Sequence, residues 1–396
     1  MIKVNEGKIP ILKAIKLAYL CTTARIRSGY QMNKKSIFLA STQKPINDSR
    51  MFEKFALSLS QHFRLSVFGW NAPVPNVPEI EFICLHTTQR LQWYKEFWKS
   101  LHTQKPDYII VHHPELLPVS LAYKIKHPSV CLFYDMQENY FRNFHYQNLY
   151  PKGIKTILGI GFRTLEYLSL PFLQKIFCAE KCYPNEIPFI KKKALVLENK
   201  YKSLYPSEKD KIKEPLKPKV LKLLLCGTIS KVFGAERAIE FVERLNQEST
   251  LVQLKIIGKG VEEDLISEIK EKAEKLDYIT IEGIDQLVAH QQIINEMKKA
   301  DAILLPYLPN KSTENCIPTK LYEAMALGIP MLIQKNKLWE TIIKKHQAGL
   351  MIDFHSTNTQ IVNTFLEQSF YPNGIVKEAY WENEEKKLLK VMREIR

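Results

Sequence analysis

Two doubly wound α/β domains of Rossmann type are the fold this 396-residue sequence predicts, and three observations lead to it. From about Lys34 short β-rich apolar runs alternate with amphipathic runs of helical length, the pattern of a parallel sheet with crossover helices. Residues 201–219, YKSLYPSEKDKIKEPLKPK, break that alternation with charge and proline and read as a linker. Residues 301–333, DAILLPYLPNKSTENCIPTKLYEAMALGIPMLI, then give strand, polar loop, helix and strand in one unbroken piece.

In the first domain, strands are predicted at Ser36–Ala40, Arg64–Phe68, Ile80–Leu85, Tyr108–His112, Val130–Tyr134, Lys175–Cys178 and Ala194–Leu197. Helices fit between them. Met51–Gln61 places Phe52, Phe55, Ala56 and Leu59 on one face, and Leu116–Ile125 behaves the same way. The aromatic stretch Tyr140–Tyr150 and the largely apolar Gly153–Phe172 read as buried core, with an acceptor-side surface as the other reading. In the second domain, strands are expected at Val220–Cys226, Leu254–Ile257, Tyr278–Ile281, Ala302–Pro306 and Pro330–Ile333, and helices near Ala235–Leu245, Val261–Leu276 and Ile293–Lys299. Tyr380–Ile395 sets Trp381, Leu388, Met392 and Ile395 along one helical face.

An apolar share of 45% and a charged share of 25% are those of an ordinary folded chain and exclude a disordered one. Seven cysteines without paired spacing argue against a disulfide framework, and Cys178 and Cys182 lack the second pair a zinc site needs. A reducing, cytoplasmic location follows. No run reaches the roughly 18 apolar residues of a membrane-spanning helix, and the N-terminal segment lacks a secretory signal pattern. The net charge of +15 is lopsided: residues 1–200 hold 28 Lys and Arg against 14 Asp and Glu, the remainder 29 against 28. That excess fits either general solubility or contact with an anionic membrane or a phosphate-linked acceptor. Nucleic acid is not expected, because zinc-finger spacing, aromatic RNA-binding signatures and basic heptads are all lacking. Ile11–Leu20, with Lys13, Lys16, Arg25 and Arg27, reads as a basic amphipathic helix for a membrane surface.

The chemistry concentrates in 301–333. Pro318 suits a first helical turn, where a missing amide hydrogen costs little, and Gly328 suits the C-terminal cap. Leu321, Ala324 and Met325 share the core face, whereas Lys320 and Glu323 lie together on the side toward the loop. Ligands of parallel sheets bind beyond the carboxyl ends of strands, and a helix N-terminus there offers amides and a positive dipole end to a phosphate. LLLCGTISKVFGAERAIEF adds a strand, a glycine turn at Gly227 and a helix that starts near Gly234.

At these residues the chain resembles the nucleotide-sugar glycosyltransferases of the GT-B fold, in particular the retaining group called family 4. The resemblance implies two Rossmann-like domains facing a cleft. Residues 33–204 would be the acceptor domain, 205–219 the linker, 220–375 the donor domain and 376–396 a tryptophan-bearing helix returning to the first domain. Residues 1–32 would be an extension, since Met32 sits where the family's first strand begins, so that 1–31 is an added piece or a misplaced start. The resemblance gives Glu323 the ribose hydroxyls. The family's second glutamate, eight positions earlier, is here Asn315 with Glu314 beside it. Pro318 and Lys320 open the donor helix, Gly227, Thr228 and Lys231 form the pyrophosphate loop, and Gly258 belongs to the GxG-like turn Ile257-Gly258-Lys259-Gly260. Thr228 stands where the family carries arginine.

At strand ends of the first domain, His113, Glu115, Asp135 and Glu138 are placed to meet an acceptor or the donor sugar, or to cap the following helices. Gln137 replaces the family's histidine and cannot relay a proton. The catalytic candidates are therefore Glu138, Asp135 and His113. The sequence contains no Asp-x-Asp triplet, so neither a metal nor another cofactor is expected, and phosphate charge falls to amides, a helix dipole and Lys or Arg. The reading is a retaining hexosyltransferase-type enzyme of cell-surface polysaccharide biosynthesis. Its partners are a nucleotide sugar, a glycan or lipid-linked acceptor and, through the basic N-terminal half, the inner face of an anionic membrane. A nucleotide-sugar 2-epimerase of the same fold and a non-catalytic GT-B binding protein are the alternatives, the latter favoured by Gln137.

Overall fold

The computed structural model describes residues 34–146, 151–204, 220–248, 251–356 and 360–395. The expectations placed on residues 1–31 and on 205–219 lie outside these residues. The strands are β1 (Ser36–Pro45), β2 (Arg64–Trp70), β3 (Ile80–Leu85), β4 (Tyr108–Val111), β5 (Cys131–Met136), β6 (Leu173–Cys178), β7 (Ala194–Val196), β8 (Leu221–Ile229), β9 (Val252–Gly260), β10 (Ile279–Glu282), β11 (Ala302–Leu305), β12 (Met331–Gln334) and β13 (Gly349–Ile352). Among the described residues they form two sheets, in the orders β3-β2-β1-β4-β5-β6-β7 and β10-β9-β8-β11-β12-β13. β1 pairs in parallel with β2 and β4, β11 with β12 and β8 with β9, with helices on the crossovers, so the fold is α/β as expected.

By contacts the chain divides into two compact units, Met1–Asp135 with Pro171–Lys175, and Met136–Leu170 with Ile176–Arg396. In the second unit, alternate residues of each strand feed two cores. Leu224, Ile257, Ile303 and Ile333 pack with Leu321 and Met325, while Leu223, Leu225, Ile256, Leu304 and Leu332 pack with Ile239 and Phe241. A sheet covered on both faces needs near-continuous apolar runs, which is why these strands were visible in the sequence.

Several boundaries differ from expectation. β8 and β9 run three residues past Cys226 and Ile257, because Gly227 pairs with Gly258 and continues the ladder where a glycine was read as a turn. The helix Arg90–Gln104 and β13 had not been singled out. In β13 the strand GLMI is too short to show a period. Asp48 caps the helical segment that begins at Ser49, its Oδ1 accepting from the amides of Arg50 (2.9 Å) and Met51 (2.8 Å). At the other end of the chain, Trp381 is buried and its helix, Glu382–Glu394, is tied to residues 200–202 by Lys200–Glu384 (2.6 Å) and Lys202–Glu385 (3.0 Å). No helix among the described residues is long and apolar enough to cross a membrane.

Candidate active site

The 301–333 segment folds as read: β11, a polar loop, the helix Thr319–Leu327 and β12. Pro318 precedes the helix with extended ψ, and Gly328 ends it in the left-handed region, where the Ile329 amide donates back to the Ala324 carbonyl at 2.9 Å. Leu321, Ala324 and Met325 are buried on the core side. On the other side the carboxylate of Glu323 accepts from Lys320 Nζ at 2.6 Å and meets His290 Nε2 at 2.9 Å. Burial alone would raise the pKa of Glu323, but the charges of Lys320 and His290 hold it well below the usual carboxylate range. Glu323 is itself almost fully covered, whereas Lys320 and His290 keep 12% and 16% of their side-chain surface exposed. The cations therefore face outward on a buried anion. The ribose role expected of Glu323 requires a hydroxyl to reach its nearly covered carboxylate past one of them.

Gly227 lies at the carboxyl end of β8, next to this cluster. A Cβ there would stand 3.1 Å from Lys320 Cε, so the glycine leaves the lysine its space. Gly258 has φ +143°, and a Cβ on it would fall 1.7 Å from the Gly227 carbonyl oxygen, so the two strand ends approach this closely only as glycines. Thr228 is exposed just beyond. Lys231, also in that turn, points to Asp264 (2.5 Å) and Glu236 (3.6 Å), and the Asp264 hydrogen bond raises its pKa.

The loop ahead of the helix is pinned by residues near 140 and 180. Arg142 pairs with Glu186, donates to the Lys311 carbonyl, and reaches Glu314 at 3.2 Å. Asn315 Nδ2 donates to Glu186 at 3.2 Å, the Ile317 amide donates to Glu180 at 3.0 Å, and Asn199 Nδ2 donates to Thr319 Oγ1 at 2.9 Å. Glu314 and Asn315 are thus exposed and shared out between Arg142 and Glu186. Beside them a cavity of about 810 Å³ is lined by Tyr307, Asn310, Lys311, Glu314, Asn315 and Trp339, among others.

Of the first-domain candidates, Glu138 is exposed and accepts from Asn143 Nδ2 at 2.7 Å. The cap of the helix Tyr140–Tyr146 comes from its neighbour Asn139, whose Oδ1 accepts from the Arg142 amide at 3.4 Å. Asp135 is sealed. Its two oxygens accept a bidentate pair from Arg50 (2.7 and 2.8 Å), and Oδ2 also meets His112 Nδ1 at 2.8 Å. Burial opposes its charge, yet Arg50 and His112 hold the carboxyl far below its usual range. His113 is buried as well, and burial with the charges of Lys44 and Arg90 lowers it to about 3, so it is neutral near pH 7. Neither Asp135 nor His113 lies open to solvent, the place in which the strand-end reading had put them. Sequence reasoning missed His290, Arg142, Glu180 and Glu186. No spacing links His290 to Glu323, 33 residues on; only the fold does.

Residues 206–379 match the family model described as glycosyl transferases, group 1. The match takes in the second sheet with its helices, 174 of the 396 residues. The enzyme class read from the PTKLYEAM helix is the one this match gives, and the Lys320–Glu323–His290 cluster lies inside the matched residues. Solved structures agree on the GT-B fold. Sucrose-phosphate synthase from Thermosynechococcus elongatus superposes with a TM-score of 0.63 at 11% identity, covering 91% of this chain and 99% of its own. Anabaena HepE in complex with UDP-glucose gives 0.58 at 14%, with 92% and 98% covered. WaaG, a glycosyltransferase involved in lipopolysaccharide biosynthesis, gives 0.56 at 14%, with 90% and 95% covered. Among curated proteins none matches the chain in sequence.

Proposed function

We propose that this glycosyltransferase moves a sugar from a nucleoside diphosphate to a glycan or lipid-linked acceptor with retention, in building a cell-surface glycan. One observation carries the reading: Lys320, positioned by the buried carboxylate of Glu323, presents its ammonium beside Gly227 at a strand's carboxyl end, where parallel sheets take their ligands. Lys320 stabilises the charge that grows on the departing diphosphate, and Lys231 assists once it leaves Asp264. Glu323 and His290 take the ribose hydroxyls. Glu138, the exposed member of the three catalytic candidates, contacts the acceptor or the sugar, and the leaving phosphate removes the acceptor proton on the same face. The complexes of HepE with UDP and UDP-glucose and the involvement of WaaG in lipopolysaccharide biosynthesis support donor class and pathway type.

Glu323→Ala is expected to weaken UDP or GDP binding by about 1–3 kcal/mol, the range for a lost charged hydrogen bond, as read by calorimetric titration. Unchanged titration with both nucleotides would remove Glu323 from the site. Because side chains and the helix start meet the phosphate charge in this reading, transfer should withstand EDTA. Complete loss in the chelator with rescue by manganese would overturn that part.

A further inference from the structure

The helix Lys152–Ser169 is packed inside out. A surface helix ordinarily turns its apolar stripe to the core and its charge to water. Here Glu166 and Ser169 are buried, and Arg163 joins them: its Nη1 donates to Glu166 at 3.0 Å and its Nη2 to Asn139 at 2.6 Å. Phe162, on the same inner side, stacks on Tyr140 and Phe144. The outer face carries Ile154, Ile157, Ile160, Tyr167 and Leu168, spaced as one stripe, with Ile157 73% exposed. Together with Phe141 and Tyr146, these make up nearly half of the exposed large hydrophobic side chains among the described residues. The largely apolar make-up of 153–172 reads as buried core, with a surface as the other reading; the fold turns much of that apolar surface outward.

Charge says what covers it. From residue 140 to 170 the sequence holds Arg142, Lys152, Lys155 and Arg163 against a single carboxylate, Glu166, which is buried and paired. The C-terminal end of the helix is bordered by the segment Pro188–Lys193, through a Tyr167–Phe189 ring contact at 5.3 Å and a Lys193 Nζ hydrogen bond to the Leu170 carbonyl at 2.8 Å. That segment ends in Lys191-Lys192-Lys193, of which the first two are exposed. An apolar stripe with aromatic residues beside it and a lysine rim, with no exposed carboxylate between residues 140 and 170 and the nearby Glu138 bonded to Asn143, matches the interfacial zone of a bilayer with anionic headgroups. A protein partner of ordinary composition would bring acidic and basic groups in comparable number and has no need of this one-sided rim.

We propose that the 152–169 helix lies in the plane of an anionic membrane, its isoleucines among the upper acyl chains and Lys191 and Lys192 on the headgroups. This surface is independent of which sugar or nucleotide the enzyme uses. The test is co-sedimentation of the full chain with phosphatidylcholine vesicles, with and without phosphatidylglycerol. Binding should require the anionic lipid and weaken in high salt. Ile157→Asp should reduce the vesicle partition constant by at least about tenfold, since it replaces a membrane-buried apolar side chain with a charge. Lys191→Glu combined with Lys192→Glu should reduce it several-fold. Both variants change exposed positions, so the melting temperature and nucleotide binding should stay as in the parent. Leu168→Ser is the milder second variant, expected to give an intermediate loss. Equal partitioning of parent and Ile157→Asp, or no binding of the parent, would overturn the proposal. So would a parent dimer in sedimentation velocity that Ile157→Asp dissolves, because a second copy would then be the cover.

Discussion

Two carboxylates in this protein are held in the same way and differ in how far their partners reach the surface. Asp135 in the first unit sits between Arg50 and His112; Glu323 in the second sits between Lys320 and His290. Each is buried, and each is kept ionised by an adjacent cation against the cost of burial. The difference lies in the partners. Arg50 and His112 are as sealed as the aspartate, so the first triad is an internal tie between β4, β5 and the helical segment after β1. Lys320 and His290 reach the surface, so the second triad turns its partners toward solvent. Exposure of the partners, and not composition, separates the two trios.

The sharpest way to break this contrast is to remove each anion. Asp135→Asn would leave the Arg50 guanidinium buried opposite a neutral group and should cost about 3–5 kcal/mol of folding stability, measured by urea unfolding. Nucleotide affinity of the surviving folded fraction should hardly change. A loss of affinity with little loss of stability would mean that Asp135 is functional after all. Glu323→Ala should show the reverse emphasis, with its main effect in the nucleotide titration described above.

Acid sharpens the comparison further, with a smaller effect. Neutral His113 binds its proton far more weakly in the fold than in the unfolded chain, whose imidazole titrates near 6.5. Its contribution is therefore fully present above pH 6.5 and declines as pH falls toward about 3. The slope is about 1.4 kcal/mol per pH unit for one proton. Asp135 and Glu323, whose folded pKa values are depressed, add their own losses only below their unfolded values of 3.8 and 4.5. Urea midpoints should thus already drop between pH 7 and 5, and His113→Gln should flatten that drop. A midpoint independent of pH in this window would show that His113 is solvated and titrates normally.

Much of the fold was legible because covered parallel strands must be apolar throughout: β2, β3 and β11 begin where expected, and β3 also ends there. The PTKLYEAM helix was legible for a second reason, since proline, an i,i+3 Lys–Glu pair and glycine each bear a local physical meaning at a helix end or face. The glycines 227 and 258 misled on strand length, because a residue that permits a turn equally permits a close ladder. Glu138 and Asp135, three positions apart, looked equivalent, yet one is exposed and the other has no surface at all.

By itself, the sequence determined the α/β class, the helix that opens at Pro318 and the pairing of Lys320 with Glu323, because each is written in a local apolar pattern or in residues close along the chain. Only the tertiary structure decided that His290 completes that pair, that Arg50 closes over Asp135 from 85 residues away, and that the isoleucines of 152–169 face outward. The physical reason is common to all three. Periodicity and charge reveal which faces a segment owns, while burial depends on which distant segment comes to rest against them.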